Sequence, residues 1–134
     1  MLGEHLGEER GRISGYRVLP DDGTGPKIEA SFQAHGTILG IELTNIGTYV
    51  TVPQPGGYLL GTGRGVATAR DGQTATWIGH GVGRPVDGGA TSWRGSLCYS
   101  TTSSGLDRLN GAVLVFEYEV DAEGNTSTRL WEWT

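Results

Sequence analysis

Polar and apolar residues alternate along most of this chain, which is the pattern of β-strands. The longest stretch without Gly or Pro is 112–123, and within it Leu114, Phe116, Tyr118 and Val120 fall on alternate positions. Because even this stretch follows a period of two, long helices are not expected. The pattern predicts about eight strands, at 10–19, 27–35, 37–52, 57–70, 73–84, 90–101, 112–121 and 125–133.

Two segments depart from the strand pattern. The sequence SSGLDRLN predicts one short helical turn near 103–110, which we expect to plug one end of the fold. The first ten residues contain Gly3 and Gly7, and Gly11 follows them directly. Because glycine disfavours regular structure, residues 1–10 are expected to be loosely ordered.

Glycine occupies every second position in two of the predicted strands. These ladders are GTGRG at 61–65 and GHGVG at 79–83. Alternate side chains of a strand share a face, so each ladder leaves one face bare. A bare face lets a sheet bend sharply or lets a ligand approach its backbone. Since closure also removes exposed edges, we predict an all-β single antiparallel closed barrel, with a β-sandwich as the alternative.

The turn between the two ladders sets how they face each other. Arg70-Asp71-Gly72 fits a three-residue hairpin loop with glycine in the left-handed position. This register pairs Gly61 with Gly81 and is expected to place Arg64 opposite His80. A two-residue Asp-Gly turn would shift the pairing by one residue and put the ladders on opposite faces. We favour the first register because it needs only one bend.

A second hairpin is predicted around Ala122-Glu123-Gly124. It pairs Glu117 with Arg129 and Val115 with Trp131, and its far end is apolar on both faces. A partner, a terminal segment or a second subunit is expected to cover the outer of these faces.

Glu117, Glu119 and Arg129 allow two interpretations. Pointing inward, they would form a polar anchor in an apolar cavity. Pointing outward, they would be solvated cross-strand pairs of small energetic consequence. The outward interpretation is favoured because Leu114 and Phe116 belong to the more consistent inner face.

Composition excludes several classes of function. The 134 residues are enough for a single domain over 1–134 with a genuine core. Net charge is −5 and Lys27 is the sole lysine, which argues against nucleic-acid binding. No apolar run is long enough to span a membrane, and no secretion signal is visible at the N-terminus. The sole cysteine, Cys98, cannot form an internal disulfide, which fits a cytoplasmic location.

Standard catalytic signatures are absent. The chain has no HExxH, no GxSxG and no phosphate-binding loop, so no cofactor or metal is expected. Its three histidines, His5, His35 and His80, are too dispersed to predict a metal site. Cys98 alternates with Leu97 and Tyr99 and is predicted to be a buried small apolar residue.

Aromatic residues beside the ladders are the candidates for binding. Indole rings would line an apolar pocket, and an imidazole with a guanidinium would fix a carboxylate or carbonyl at its polar end. A hydrogen-bonded strand histidine beside an arginine, and tryptophans that only fill a core, are the simpler interpretations. The candidate ligand-binding residues are Trp77, His80, Arg64, Trp93, Tyr99 and Trp131.

Residues 28–133 resemble a family of uncharacterised bacterial proteins of similar length. The resemblance rests on IEASFQAHGTILGIELTNIGTY, ARDGQTATWIGHGVGR and LNGAVLVFEYEVDAEGNTSTRLWEW. It implies a small barrel whose shape is similar to the allene oxide cyclase and lipocalin types. No functional residue carries over from that likeness.

Three functions are consistent with such a barrel. The first is a cytoplasmic protein that binds a small, largely apolar ligand. The second is a cyclase or isomerase that acts by confining its substrate. The third is a structural homo-oligomer without a ligand, joined through exposed Trp131 and Trp133. A cavity of about 300 Å³ or more would favour the first two, and a filled interior the third.

Overall fold

The computed structural model describes all 134 residues and shows a closed antiparallel barrel. Each strand pairs with the next in sequence, and the last returns to pair with the first. The strands are β1 (Leu2–Leu19), β2 (Lys27–Ile38), β3 (Ile41–Gln54), β4 (Tyr58–Ala69), β5 (Thr74–Val86), β6 (Ala90–Ser100), β7 (Val113–Val120) and β8 (Asn125–Trp133). The predicted eight-stranded barrel is therefore confirmed, and the sandwich alternative is wrong. No helix is both long and apolar enough to cross a membrane.

Strand β1 begins at Leu2, well before the start predicted from the sequence. Its glycines do not loosen the segment but let β1 lie close against β2. A methyl group on Gly7 would collide with the carbonyl oxygen of Thr37, and one on Gly11 with that of Gln33. The expected loose N-terminus is thus a strand that pairs with β8 and closes the barrel.

The β4–β5 hairpin has the predicted three-residue loop. The amide of Ala69 donates to the carbonyl of Gln73 at 2.8 Å, and Gly72 adopts a φ of 91°. Gly61 pairs with Gly81, so the two ladders face each other as predicted.

One detail of that prediction was wrong. Arg64 pairs with Ile78, and His80 pairs with Thr62. In an antiparallel pair the glycine register also fixes the residues between the glycines, and that register does not bring Arg64 opposite His80.

The β7–β8 hairpin also matches its prediction. Glu117 pairs with Arg129 and Val115 with Trp131, and Gly124 has a φ of 84°. The inner face of β7 carries Leu114 and Tyr118, both buried, as the alternation predicted.

Two indole rings occupy the space that the ladders leave empty. A methyl group on Gly61 would lie 2.6 Å from the ring of Trp93, and one on Gly83 would lie 2.7 Å from it. The ring of Trp77 covers Gly65 and Gly47 in the same way. The tryptophan rings therefore pack against the bare faces of the glycine ladders inside the barrel.

A 3-10 helix at Ser104–Leu109 closes one end of the barrel, as the predicted short turn. Leu106 and Leu109 are fully buried and belong to the main core cluster. The hydroxyl of Ser103 accepts a hydrogen bond from the amide of Thr74 at 3.0 Å. A second 3-10 turn, Asp87–Gly89, connects β5 to β6 at the opposite end.

Gly65→Ala is expected to destabilise the fold by about 1–3 kcal/mol, because the added methyl group overpacks the site against Trp77. Gly15→Ala is the matched control, since nothing lies within 4 Å of a methyl group there and its φ is not left-handed. The control should change the free energy of unfolding by less than about 1 kcal/mol. Guanidinium denaturation measures the free energy of unfolding of both variants. Equal losses of stability would contradict the close packing of Trp77 against Gly65.

Candidate functional site

A small cavity, partly open to the outside, lies inside the barrel between the ladders and the facing strands. Its volume is about 70 Å³. That is space for about two water molecules, well below the roughly 300 Å³ of a typical small-molecule site. Its wall includes seven aromatic residues, which are Phe32, Tyr49, Trp77, Trp93, Tyr99, Phe116 and Tyr118. By the size criterion given for the three functions, this nearly filled interior favours the structural homo-oligomer over a binder of ligands of ordinary size. The cavity is small because the two indoles occupy the volume that the glycines leave.

Three of the six candidate residues predicted from the sequence have their side chains at this cavity. Trp77, Trp93 and Tyr99 line it, and each is buried. Their position agrees with a role in binding, which stays a prediction.

His80, Arg64 and Trp131 lie on the outer face. The bare sides of Gly79 and Gly81 face inward, so the His80 side chain between them points to solvent and only its backbone borders the cavity. Arg64 is exposed for the same reason. The predicted polar end built from His80 and Arg64 is therefore wrong.

Trp131 is also outside the barrel, because its neighbour Leu130 takes the inner position. Its ring packs against that of His5, with centroids 5.4 Å apart. The same alternation exposes Cys98, since Leu97 and Tyr99 on either side point inward. The prediction of a buried Cys98 is wrong.

The outward interpretation of Glu117, Glu119 and Arg129 is confirmed, and Arg129 is solvent-exposed. Both carboxylates pair with Arg94 on the outer face, at 3.5 Å and 2.7 Å. All three side chains are substantially solvent-exposed, so these ion pairs contribute little to stability.

A buried polar chain reaches the cavity from β1, β3 and β5. The indole nitrogen of Trp77 donates to Oδ1 of Asn45 at 2.9 Å, and Nδ2 of Asn45 donates to Oε2 of Glu9 at 3.2 Å. Glu9 is 3% exposed, and its Oε1 has no hydrogen-bond partner. Burial raises the pKa of Glu9 above its ordinary value, although the bond from Asn45 acts in the opposite direction.

Tyrosine hydroxyls supply the remaining polar groups at the cavity. Burial and the charge of Glu9 both raise the pKa of Tyr99. Tyr49 and Tyr118 meet hydroxyl to hydroxyl at 3.3 Å across the barrel, and burial raises the pKa of Tyr49 to about 12. These phenols are neutral at physiological pH, so Glu9 is the carboxyl group that can change charge at the cavity.

The sequence contains a signal for Glu9, although it is not among the candidate residues given above. Glu9 lies two residues from both Gly7 and Gly11, so it shares their face in a strand. Asn45 stands in the same relation to Leu43 and Gly47. A loosely ordered N-terminus would have no strand faces, so the expectation of one conceals the inward position of Glu9.

The arrangement fits hydrogen bonding or proton transfer at one carboxyl group in apolar surroundings. When protonated, Glu9 can donate to a carbonyl or hydroxyl oxygen in the cavity, and when ionised it can accept a proton. No group of three or more His, Cys, Asp and Glu side chains is placed to bind a metal ion.

Glu9→Gln tests the raised pKa directly. From pH 4.5, the ordinary value for the carboxyl, up to the raised pKa, the folded chain keeps a proton that the unfolded chain has lost. The free energy of unfolding of the wild type therefore falls as pH rises across this window. The variant lacks this pH dependence, because an amide does not titrate. We expect the advantage of Glu9→Gln in free energy of unfolding to grow as pH rises above 4.5 and then to level off.

Urea denaturation between about pH 4 and pH 9 measures the difference. Glu8→Gln is the matched control, because Glu8 is exposed on the outer face of the same strand. A difference between Glu9→Gln and wild type that does not vary with pH would contradict the assignment.

Comparison with known proteins supports the fold. No protein-family model and no curated protein matches the chain by sequence. The solved structures that are similar in shape include three bacterial proteins.

A protein of unknown function, RPA1785 from Rhodopseudomonas palustris, has a TM-score of 0.81 at 14% identity, over 98% of this chain and 97% of that one. A protein of unknown function from Clostridium acetobutylicum has a TM-score of 0.82 at 14% identity, over 96% of each chain. A β-barrel-like protein from Acinetobacter baumannii, ABAYE2633, has a TM-score of 0.81 at 12% identity, over 98% of this chain and 94% of that one. The chain is thus a small β-barrel with the architecture of these uncharacterised bacterial proteins.

Proposed function

We propose that this protein binds a small, neutral, largely apolar molecule inside the barrel. A carbonyl oxygen of that molecule accepts a hydrogen bond from protonated Glu9. The observation that carries the proposal is the unpartnered Oε1 of Glu9 at an otherwise aromatic cavity. Leaving a buried polar atom unpaired costs about 1–3 kcal/mol, so a ligand that pairs with it gains affinity.

The cavity restricts the ligand to a few non-hydrogen atoms. With a volume of about 70 Å³ it has no room for an acyl chain or other lipid while Trp77 and Trp93 keep their positions. This separates the proposal from the lipid ligands that the likeness to lipocalins and allene oxide cyclases would suggest. The aromatic wall favours an apolar body, and the single carboxyl favours one polar end.

Access to the cavity is expected on the side away from the 3-10 plug. Tyr49 and Tyr118 lie toward the ends of β3 and β7 that are remote from Ser104–Leu109. Their hydroxyls, 3.3 Å apart, form a weak bridge across the barrel. Rotation of either ring would widen the opening on this side, whereas the plugged end is held by fully buried leucines.

The same carboxyl group could serve an isomerase. Burial raises the pKa of Glu9 towards the range of a general acid, and it is the titratable carboxyl at the cavity. Such a reaction would require the ligand binding proposed above, so binding is the first property to test.

Acetone and 2-methylpropene form a matched pair of test ligands, because they differ in a carbonyl oxygen against a methylene group. We expect acetone to bind with a Kd on the order of 1 mM and to shift the amide resonances of Gly61, Gly63 and Gly81 in NMR titration. 2-Methylpropene should bind several-fold more weakly, because it cannot pair with Glu9.

Glu9→Leu should abolish the preference for the ketone, whereas Glu9→Gln should keep it, since an amide also donates. His80→Ala is the outer-face control and should bind both ligands as the wild type does. Absence of shifts at the cavity glycines with either ligand would overturn the proposal. So would an unchanged preference in a folded Glu9→Leu variant.

A further inference from the structure

The β1–β2 hairpin extends past β8 at the end of the barrel that lies away from the 3-10 plug. Strand β1 continues to Leu19, but its pairing with β8 ends at Arg12, opposite Asn125. Residues 15–19 of β1 therefore pair with β2 alone, at residues 27–31. At about 3.3 Å per residue they project roughly 16 Å beyond the β1–β8 pairing. We call residues 15–19 and 27–31 the overhang.

A β-bulge places two large side chains on the inner face of the overhang. The register between β1 and β2 shifts between Ile13 and Gly15, and Ile13 packs against the core. Unbroken alternation from Ile13 would turn Tyr16 and Val18 outward, whereas the extra residue of the bulge turns both inward. Tyr16 pairs with Ala30, which is 2% exposed, as expected for an inner-face pair.

The overhang is amphipathic, and its apolar face is uncovered. On the inner face Tyr16 is 67% exposed, Val18 is 79% exposed, and Ile28, which pairs with Val18, is 38% exposed. The outer face carries an ion pair, in which Nε of Arg17 lies 3.4 Å from Oε1 of Glu29. Because the charges are on the outer side and the large apolar side chains on the inner side, the inner face is suited to an apolar partner.

The inner face of the overhang continues into the wall of the cavity. Two rows of paired residues cross β1, β2, β3 and β4, and these rows are Tyr16–Ala30–Tyr49–Gly63 and Val18–Ile28–Thr51–Gly61. Tyr49, Gly61 and Gly63 line the cavity. Burial chiefly raises the pKa of Tyr49 and of Tyr118, and the nearby phenol of Tyr16 adds to both shifts. A molecule that leaves the cavity past these two tyrosines therefore meets the overhang next.

We propose that the overhang holds the alkyl tail of a ketone whose carbonyl oxygen pairs with Glu9 in the cavity. This rests on the proposed function and specifies the class of its ligand. The cavity of about 70 Å³ takes the carbonyl end alone. The tail lies outside it, against Val18 and Ile28, so Trp77 and Trp93 keep their positions.

Acetone, 2-pentanone and 2-heptanone test the overhang, because they share a methyl ketone end and differ in the length of the tail. A methylene group gains roughly fourfold in affinity when it is fully buried, and about twofold when it lies on an open face. We therefore expect 2-heptanone to bind at least about tenfold more tightly than acetone. In NMR titration 2-heptanone should shift the resonances of Val18 and Ile28 together with those of Gly61 and Gly63, whereas acetone should shift only the glycines.

A double variant removes the apolar face without touching the cavity carboxyl. Tyr16→Ser/Val18→Ser should bind acetone as the wild type does and lose most of the gain with tail length. Both side chains are more than half exposed, so the variant should fold, and circular dichroism checks this. Ile46→Ser/Val66→Ser is the matched control, because these residues pair with each other on the outer face of β3 and β4 and are 54% and 45% exposed. The control should keep the whole gain.

The outcomes separate the overhang from the cavity. If acetone does not shift the cavity glycines, the proposed binding site and the role of the overhang both fall. Acetone binding without tighter binding of 2-heptanone would overturn the role of the overhang alone and leave the cavity site standing. The same conclusion follows if Tyr16→Ser/Val18→Ser keeps the full gain with tail length, because the tail then lies elsewhere.

Discussion

The packing of two indoles onto bare glycine backbone is the constraint on which the rest of this barrel depends. Trp77 reaches from β5 over Gly65 and Gly47, and Trp93 reaches from β6 over Gly61 and Gly83. Each ring therefore spans neighbouring strands and requires them to lack side chains at the contact. The ladders let the wall curve, and the rings fill the volume that the curve encloses. The cavity is the part of that volume that the two rings do not fill.

The polar chemistry of the interior follows from the same packing. An indole placed inside the barrel brings a nitrogen donor that must be paired. Asn45 accepts that hydrogen bond and in turn donates to Glu9. The chain of bonds ends on a carboxyl oxygen without a partner, in surroundings that disfavour its charge. Two hydrogen bonds thus connect the indole of Trp77, through Asn45, to the buried carboxyl group of Glu9.

Much of this architecture was predictable because a period of two is a local signal. Strand positions, the loop at Gly72 and the loop at Gly124 follow from alternation and from the backbone that glycine allows. The register of both hairpins then follows from the turns. Seven of the eight strand pairings join neighbours in sequence, so most of the sheet can be predicted from consecutive hairpins.

The site was less predictable because it depends on which face becomes the interior. His80 points outward because it lies between two ladder glycines whose bare side faces the interior. Cys98 points outward because Leu97 and Tyr99 on either side take the inner positions. The size of the cavity depends on where Trp77 and Trp93 point, which no spacing encodes. Glu9 was missed because the glycines around it favour both a loose segment and a close strand contact. Only the pairing of β1 with β2 and β8 decides between them.

The pairing of β1 with β8 has a consequence for how the chain folds. Every other pairing closes a short loop, whereas this seam joins residues as far apart as Leu2 and Trp133. It therefore carries the largest entropic cost of chain closure and is the natural late step of assembly. Before it forms, both seam strands are unpaired edges, and β8 presents its outer tryptophans beside one of them. The chain is then most prone to aggregate in the interval when the seven other pairings have formed and the seam is still open.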